Sequence, residues 1–318
     1  MRVVFLDKAS MDRDDIDYSS IDSLHVDWMA YDMTTPGQVH ERLKGAAVVI
    51  TNKVILDDSV LTQADSLKLI CIAATGVNNV DLDSARKRGI EVCNARGYAT
   101  ASVVEHVFGL LISLLRNNTD YQAASIDGRW AGSRQFCYLG APISELSGKT
   151  IGIIGYGELG QAVAKVAGAF GMNVLVSQRP GSTHLVKGRH DLTDVLRKAD
   201  VLTLHCPLND ITRNLIGKHA FSLMPQHAVL INTARGGIVN EEDLLNALKH
   251  RDIAAAALDV LLEEPPGQQH PLLQSDLSNL IVTPHVAWAS QQARQRLLQE
   301  VIDNIEAFMQ GRVRNTVL

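Results

Sequence analysis

Short apolar runs alternate with segments of helical spacing over the first hundred residues of the chain. A short apolar run indicates a buried strand, and apolar positions three and four apart indicate a helix. Strands that alternate with helices in this way predict βα units and a mainly parallel sheet. The predicted strands are residues 2–6, 46–51, 69–73 and 90–93, and the predicted helices are residues 36–43, 57–64 and 81–88.

The pattern changes near residue 100, where residues 100–116 form one long apolar segment of helical spacing with few charges. Residues 127–147 are polar and irregular. A second series of continuous apolar runs follows, which suits strands covered on both faces of a sheet. A last helix is predicted at residues 291–309. The strands predicted in this series are residues 150–154, 173–177, 201–205, 228–232, 255–258 and 280–283.

The length of the chain, 318 residues, exceeds what one compact core of ordinary size holds, so two α/β domains are predicted. The net charge is −5 and no basic block is present, which disfavours nucleic acid as a partner. The first apolar run is too short for a signal peptide, and no run reaches the length of a membrane span. Cys71, Cys93, Cys137 and Cys206 are scattered without a CxxC pair, so we expect no metal site and a cytoplasmic protein.

A strand, a glycine-rich turn and a helix follow one another in the segment TIGIIGYGELG, residues 150–160. Gly155 allows a tight turn, Gly157 lets the backbone approach a pyrophosphate, and Gly160 permits close packing of helix and strand. The helix N-terminus then offers free N–H groups and the positive end of the helix dipole to phosphate. In this context a dinucleotide site is favoured over a glycine-rich turn without a ligand.

The next predicted strand ends in Ser177, Gln178 and Arg179. An NAD site usually carries Asp or Glu at this position to bind the adenosine ribose hydroxyls, and that acid is missing here. Arg179 is either a solvated surface charge or a partner for the 2′-phosphate of NADP. We therefore expect NADPH to be used at least as well as NADH.

Candidate chemistry stands at the ends of three later strands, at Arg235, Glu264 and His285. Flanking small residues let Arg235 reach into a cleft, where a guanidinium can bind a carboxylate through two hydrogen bonds. His285 can donate or accept a proton near neutral pH, and a nearby carboxylate such as Glu264 favours the imidazolium. Each residue also has a plain alternative: Arg235 as a capping or surface residue, Glu264 as a loop charge, and His285 as an incidental histidine.

Together these segments resemble the D-isomer-specific 2-hydroxyacid dehydrogenase family, and within it the branch of glycerate dehydrogenases and hydroxypyruvate reductases. Several motifs in the right order carry the resemblance, which covers nearly the whole chain. The matching segments are ATGVNNVD at 74–81, SVVEH at 102–106, GYGELG at 155–160, HCPL at 205–208, NTARGG at 232–237, DVLLEEP at 259–265 and TPHVAWAS at 283–290.

The resemblance implies residue roles. Arg235 would bind the substrate carboxylate and polarise the keto oxygen, His285 would be the general acid in reduction, and Glu264 would pair with His285. The other substrate contacts implied are Asn52, Thr75, Gly76, Val77 and Trp288, of which Trp288 is equally well interpreted as a packing aromatic. The cofactor contacts implied are Val104, Gly155, Gly157, Glu158, Leu159, Gly160, Gln178, Arg179, His205, Pro207, Thr212, Thr233, Ala234, Arg235, Asp259 and His285.

The family fold implies two Rossmann-like, doubly wound parallel-sheet domains. Residues 1–99 and 288–318 would form a flavodoxin-like substrate domain, and residues 100–287 an inserted NAD(P)-binding domain through which homodimers form. One departure from the family is the Glu158–Leu159 pair, which replaces a frequent Arg-Ile in the glycine loop. The expected reaction is NAD(P)H-dependent reduction of hydroxypyruvate or glyoxylate to the D-2-hydroxy acid. Alternatives are a D-lactate-like or phosphoglycerate-type dehydrogenase and a cofactor-sensing protein that resembles the corepressors of this fold.

Overall fold

A computed structural model describes residues 1–182, 184 and 186–318 of the protein. These residues divide into two compact units. Unit 1 comprises Met1–Ala99 and Trp288–Leu318, and unit 2 comprises the continuous segment Thr100–Ala287 inserted between them. Each unit contains one parallel sheet, which confirms the predicted fold class.

The elements are numbered in chain order. The strands are β1 (Arg2–Phe5), β2 (Asp27–Ala30), β3 (Val48–Thr51), β4 (Leu69–Ile72), β5 (Glu91–Cys93), β6 (Thr150–Ile154), β7 (Asn173–Val176), β8 (Val201–Leu204), β9 (Val229–Asn232), β10 (Ala255–Leu258) and β11 (Leu280–Val282). The helices are α1 (Ser19–Asp22), α2 (Pro36–Leu43), α3 (Asp58–Leu61), α4 (Leu82–Lys87), α5 (Thr100–Arg116), α6 (Asn118–Ile126), α7 (Glu158–Ala169), α8 (Leu192–Lys198), α9 (Lys218–Leu223), α10 (Glu241–His250) and α11 (Gln291–Met309).

Unit 1 has the strand order β2-β1-β3-β4-β5 with every pair parallel. Successive side chains of a strand point to opposite faces, so the apolar run of β1 serves two cores. Val3 and Phe5 join the core under α11, whereas Val4 and Leu6 join the core on the other face. This two-sided burial explains why the predicted strands have no polar alternation.

Unit 2 has the strand order β7-β6-β8-β9-β10-β11, again with every pair parallel. The chain runs outward from β6 to β7 and then crosses back to β8 on the other side of β6. In sheets of this kind, ligands bind beyond the carboxyl ends of the strands where the order reverses. None of the described helices combines the length and the apolar character of a membrane span.

Candidate active site

The glycine loop of unit 2 occupies the point where the strand order reverses. Gly155 follows β6 with φ +92°, and a Cβ at this residue would lie 2.5 Å from the backbone nitrogen of Cys206, just after β8. A Cβ on Gly160 would lie 2.1 Å from the carbonyl oxygen of Gly155. These two glycines are therefore required by backbone packing between β6, β8 and α7. A Cβ on Gly157 would meet nothing within 4 Å, so the space beside this residue is open.

Helix α7 begins directly after Gly157, with Glu158 and Leu159 in its first turn. The N–H groups of a first helical turn have no partner within the helix, so they are available to an anion. Glu158 points its carboxylate at the hydroxyl of Thr100 at the start of α5, through a short hydrogen bond. The predicted cofactor residue Val104 is buried in α5.

The end of β7 is polar and contains no acid. Ser177 is buried, Gln178 donates from Nε2 to the carbonyl oxygen of His184 at 2.7 Å, and Arg179 is exposed. Sequence reasoning missed a second guanidinium here. Arg189 lies with its guanidinium 4.6 Å from the ring centroid of Tyr156 and donates to the carbonyl oxygen of Ser177 at 3.3 Å.

The loops after β8 and β9 contain the predicted cofactor residues His205, Pro207, Thr212, Thr233, Ala234 and Arg235. Burial lowers the pKa of His205 to about 4, so its imidazole is neutral near pH 7. The Thr212 hydroxyl donates to the carbonyl oxygen of Pro207 at 2.7 Å and holds the β8 loop in a turn. The buried Thr233 hydroxyl oxygen has no hydrogen-bond partner among the described residues. An unpartnered buried hydroxyl is unusual in a folded protein and fits a ligand that supplies the partner.

The loop that carries Arg235 is held by the buried amide of Asn232. The Asn232 side chain accepts a hydrogen bond from the Ala234 N–H at 3.0 Å and donates to the Arg235 carbonyl oxygen at 2.9 Å. A Cβ on Gly236 would lie 1.9 Å from the carbonyl carbon of Leu261, so the loop after β9 packs backbone against backbone on the loop after β10. The Arg235 guanidinium donates to the carbonyl oxygen of Ala234 at 2.7 Å.

Glu264 and His285 are brought together from the ends of the neighbouring strands β10 and β11. Nδ1 of His285 lies 2.7 Å from Oε2 of Glu264, and Oε1 of Glu264 accepts a hydrogen bond from the N–H of Leu261 at 2.9 Å. About a third of each side chain is exposed, 31% for His285 and 35% for Glu264. The carboxylate is thus fixed by backbone on one side and orients the imidazole on the other.

Asp259 holds the segment that carries His285. This carboxylate is 1% exposed and accepts hydrogen bonds from the Thr283 hydroxyl at 2.6 Å and from the N–H groups of Val286 and Ala287 at 2.9 and 2.8 Å. Burial pushes the Asp259 pKa upward, but bonds from His106, Thr283 and these N–H groups outweigh burial and leave the pKa below its ordinary value. His285 itself adopts φ +53°, a left-handed conformation that costs about 1–3 kcal/mol in a residue other than glycine.

In unit 1, polar loops follow the carboxyl ends of β1 and β3. Asp7, which sequence reasoning did not single out, accepts hydrogen bonds from the N–H of Asn52 at 2.9 Å and the N–H of Lys53 at 2.7 Å. Burial raises the Asp7 pKa despite these bonds. The Asn52 side chain donates to the Ser10 hydroxyl at 3.1 Å.

The predicted substrate residues Thr75, Gly76 and Val77 follow β4. Thr75 donates from its hydroxyl to the Ala95 carbonyl oxygen at 3.1 Å. Trp288, at the boundary of the second segment of unit 1, contacts Tyr98 edge to face with ring centroids 6.4 Å apart and packs against the core. Trp288 therefore has a packing role in unit 1.

Comparison with known proteins identifies the family. Residues 108–287 match the family model described as D-isomer specific 2-hydroxyacid dehydrogenase, NAD binding domain. The chain belongs to the D-isomer specific 2-hydroxyacid dehydrogenase family. It is therefore a dehydrogenase that uses a nicotinamide dinucleotide, as the motifs predicted, and it catalyses the interconversion of 2-keto and 2-hydroxy acids.

Relatives that align with this dehydrogenase over nearly its whole length are named as a glycerate dehydrogenase and a hydroxypyruvate reductase. It is 44% identical to the glycerate dehydrogenase of Methylorubrum extorquens over 99% of this chain and 98% of the relative. It is 33% identical to the hydroxypyruvate reductase of Blautia hydrogenotrophica over 100% of this chain and 99% of the relative. Among solved structures, an acyclic imino acid reductase in complex with NADPH and D-arginine is 29% identical, with a TM-score of 0.87 and complete coverage of both chains.

Proposed function

We propose that this dehydrogenase reduces hydroxypyruvate and glyoxylate, with D-glycerate and glycolate as products. The observation that carries the proposal is the Glu264–His285 pair at 2.7 Å, at the same sheet edge as the Arg235 loop. The names of the glycerate dehydrogenase and hydroxypyruvate reductase relatives support the choice of substrate.

The residues of unit 2 fit a dinucleotide. We propose that Gly155, Gly157 and the first turn of α7 hold the pyrophosphate, and that the unpartnered Thr233 hydroxyl faces the cofactor. We also propose the other cofactor residues predicted from the family, which lie in α5, at the end of β7 and in the loops after β8, β9, β10 and β11. When bound, the nicotinamide supplies the hydride in reduction and accepts it in oxidation.

The protein's own residues supply binding and proton transfer. Arg235 offers N–H donors to the substrate carboxylate, for which a planar guanidinium is well shaped. His285 donates a proton from Nε2 to the keto oxygen as that oxygen gains negative charge, and takes the proton back in the reverse direction. Glu264 accepts from Nδ1, so it fixes the ring orientation and stabilises the imidazolium. From unit 1 we propose Asn52, Thr75, Gly76, Val77 and Trp288 as substrate-binding residues.

NADPH is proposed to be used at least as well as NADH. The end of β7 contains no carboxylate that would hydrogen-bond the ribose hydroxyls and repel a 2′-phosphate. Ser177 is buried and its hydroxyl donates to the Gln178 carbonyl oxygen, so the Gln178 side chain is the polar group proposed to bind the hydroxyls, and we expect NADH to be used as well.

We propose a cytoplasmic homodimer that forms through unit 2. The segment after α6 exposes large apolar side chains on an irregular backbone, an arrangement typical of a protein interface. Phe136 is 93% exposed, and Trp130 donates from its indole to the Phe136 carbonyl oxygen at 3.1 Å.

The cytoplasmic location is proposed from the cysteines, because the buried free thiols of Cys71, Cys93 and Cys206 fit a reducing compartment.

A panel of 2-keto acids tests the reaction. Hydroxypyruvate, glyoxylate, pyruvate, a branched keto acid and phosphohydroxypyruvate should be compared by kcat/KM with NADPH and with NADH. Hydroxypyruvate and glyoxylate should lead, and chiral analysis of the hydroxypyruvate product should give D-glycerate. A clear preference for pyruvate, the branched acid or the phosphorylated acid would overturn the substrate assignment. An L product would overturn the proposed stereochemistry.

A further inference from the structure

Arg189 is held in a fixed position beside the end of β7. The residue after it, His190, forms a parallel bridge with Ser177, with hydrogen bonds from the His190 N–H to the Val176 carbonyl oxygen at 2.9 Å and from the Gln178 N–H to the His190 carbonyl oxygen at 2.8 Å. The Arg189 N–H itself donates to the Val186 carbonyl oxygen at 3.0 Å. The edge of the sheet thus continues past β7, and Arg189 is anchored on both sides.

The guanidinium of Arg189 joins the end of β7 to the glycine loop. It lies over the ring of Tyr156, which is the residue between Gly155 and Gly157 in the glycine loop. It also donates one hydrogen bond to the carbonyl oxygen of Ser177. A contact with an aromatic ring orients a guanidinium but leaves its positive charge intact. No carboxylate pairs with Arg189 in the described part of the chain. An oriented cation with N–H donors to spare is therefore available beside the proposed ribose position.

Arg179 has neither the half-buried position nor the side-chain contacts that orient Arg189. Its side chain is exposed and its guanidinium has no hydrogen bond or ion pair to another described residue. A solvated, unrestrained guanidinium loses side-chain entropy when it binds and is screened by salt. An arginine that is already ordered and partly buried loses less, so the same phosphate contact contributes more to affinity.

We propose that Arg189, oriented by Tyr156, is the main residue that distinguishes the 2′-phosphate of NADPH from the 2′-hydroxyl of NADH, and that Arg179 is secondary. This assignment rests on the proposed use of NADPH. The ligand group is a phosphomonoester on the adenosine ribose. Arg189 binds it through charge-assisted hydrogen bonds, while the ring of Tyr156 keeps the guanidinium in place.

The test is calorimetric titration with two probes that differ only in this phosphate, adenosine 2′,5′-bisphosphate and adenosine 5′-monophosphate. The wild-type protein should bind the bisphosphate about tenfold to a hundredfold more tightly. Arg189→Met keeps an apolar stem against Tyr156 but removes the charge, and it should bring the two affinities close together. Arg179→Met, the matched control, should retain most of the difference. Tyr156→Leu should reduce the difference partly, whereas Tyr156→Phe should leave it unchanged.

Each other outcome counts against the assignment. A difference that persists in Arg189→Met, or one that disappears only in Arg179→Met, overturns it. Equal weakening of both probes by Arg189→Met would show a role in adenine binding or folding, and also overturns it. If the wild type binds both probes equally, the proposed use of NADPH and the role of Arg189 fail together. The proposed reductase reaction would still stand on turnover with NADH.

Discussion

Nδ1 of His285 lies 2.7 Å from Oε2 of Glu264, although the two residues follow different strands and are far apart in sequence. With Nδ1 directed at Glu264, we propose Nε2 of His285 as the nitrogen that exchanges a proton with substrate. Replacement of His285 by alanine should lower kcat by about 10²–10⁴-fold with a small change in KM, because the proton is needed only as the alkoxide forms. Steady-state kinetics with hydroxypyruvate measure this, and the exposed His219→Ala is the matched control. Near wild-type turnover in the His285 variant would remove it from the mechanism.

Glu264→Gln should lower turnover in both reaction directions with little effect on the fold. Glutamine retains the shape of the side chain but not its negative charge, so the hydrogen bond that orients the His285 ring is weakened. We expect kcat to fall about tenfold to a hundredfold with a small change in KM, because a charge-assisted hydrogen bond contributes about 1.5–3 kcal/mol. Steady-state kinetics of hydroxypyruvate reduction and glycerate oxidation test this, with urea unfolding as the check on the fold. A loss in one reaction direction only would contradict the shared role of the pair.

Arg235→Lys should separate charge from geometry. Lysine keeps the positive charge but cannot make two parallel hydrogen bonds to a carboxylate. We expect a loss in kcat/KM of about tenfold to a hundredfold, and a larger loss for Arg235→Ala, since a charge-assisted hydrogen bond contributes about 1.5–3 kcal/mol. The measurement is saturation kinetics with glyoxylate, the smallest keto acid in the panel. If lysine restored the wild-type rate, binding through two hydrogen bonds would be excluded.

His205 should make the protein sensitive to mild acid. Its pKa is lowered to about 4 by burial, whereas an unfolded histidine titrates near 6.5. Between about pH 4 and pH 6.5 the unfolded chain binds more protons than the folded protein does. The contribution of neutral His205 to the free energy of unfolding is therefore complete above about pH 6.5 and is lost as the pH falls toward 4. From pH 7 to pH 5 this residue should account for about 1–2 kcal/mol of the fall in unfolding free energy. Urea unfolding at both values should show a smaller fall in His205→Asn, and an equal fall in both proteins would refute the prediction.

Phe136→Asp should weaken the proposed dimer. A charge in place of an aromatic that the proposed dimer would bury removes apolar contact and leaves an unpaired carboxylate at the interface. Analytical ultracentrifugation should show a dimer for the wild type and a shift toward monomer for the variant. Met33→Asp, which changes an apolar side chain that is 73% exposed in unit 1, is the control and should stay dimeric. A wild-type monomer, or a variant that remains fully dimeric, would contradict the assignment of this segment.

Strands buried on both faces could be predicted from the sequence because their apolar runs are continuous. The predicted strand at residues 150–154 and the helices at 36–43, 100–116 and 291–309 have the observed bounds. The exposed edge strand β2 was missed because the apolar run in its sequence, DWMA, is only three residues long and its side chains are alternately exposed and half-buried. Periodicity detects burial, and an edge strand with little burial leaves no such pattern.

Candidate residues were predictable where a motif surrounds them, and contacts between motifs were not. The glycine loop and the residue types at 235, 264 and 285 stand out in sequence, but no spacing rule places Glu264 against His285. Arg189 was missed because it stands outside any motif, and only the bridge from His190 to Ser177 places it beside Tyr156. Asp259 shows the same limit, since its bonds to residues 283–287 depend on the pairing of β10 with β11.

The contact of Gly236 with Leu261 has a consequence for how this enzyme can diversify. A Cβ at position 236 would lie 1.9 Å from the Leu261 carbonyl carbon, so no side chain fits there. The loops that carry Arg235 and Glu264 therefore stay in backbone contact, which keeps the spacing between them constant. A mutational library at position 236 should therefore return almost only glycine. We expect new substrate ranges, whether from natural drift or from laboratory selection, to arise from other positions, such as the proposed substrate residues Asn52 and Thr75, while the spacing of these two loops stays constant.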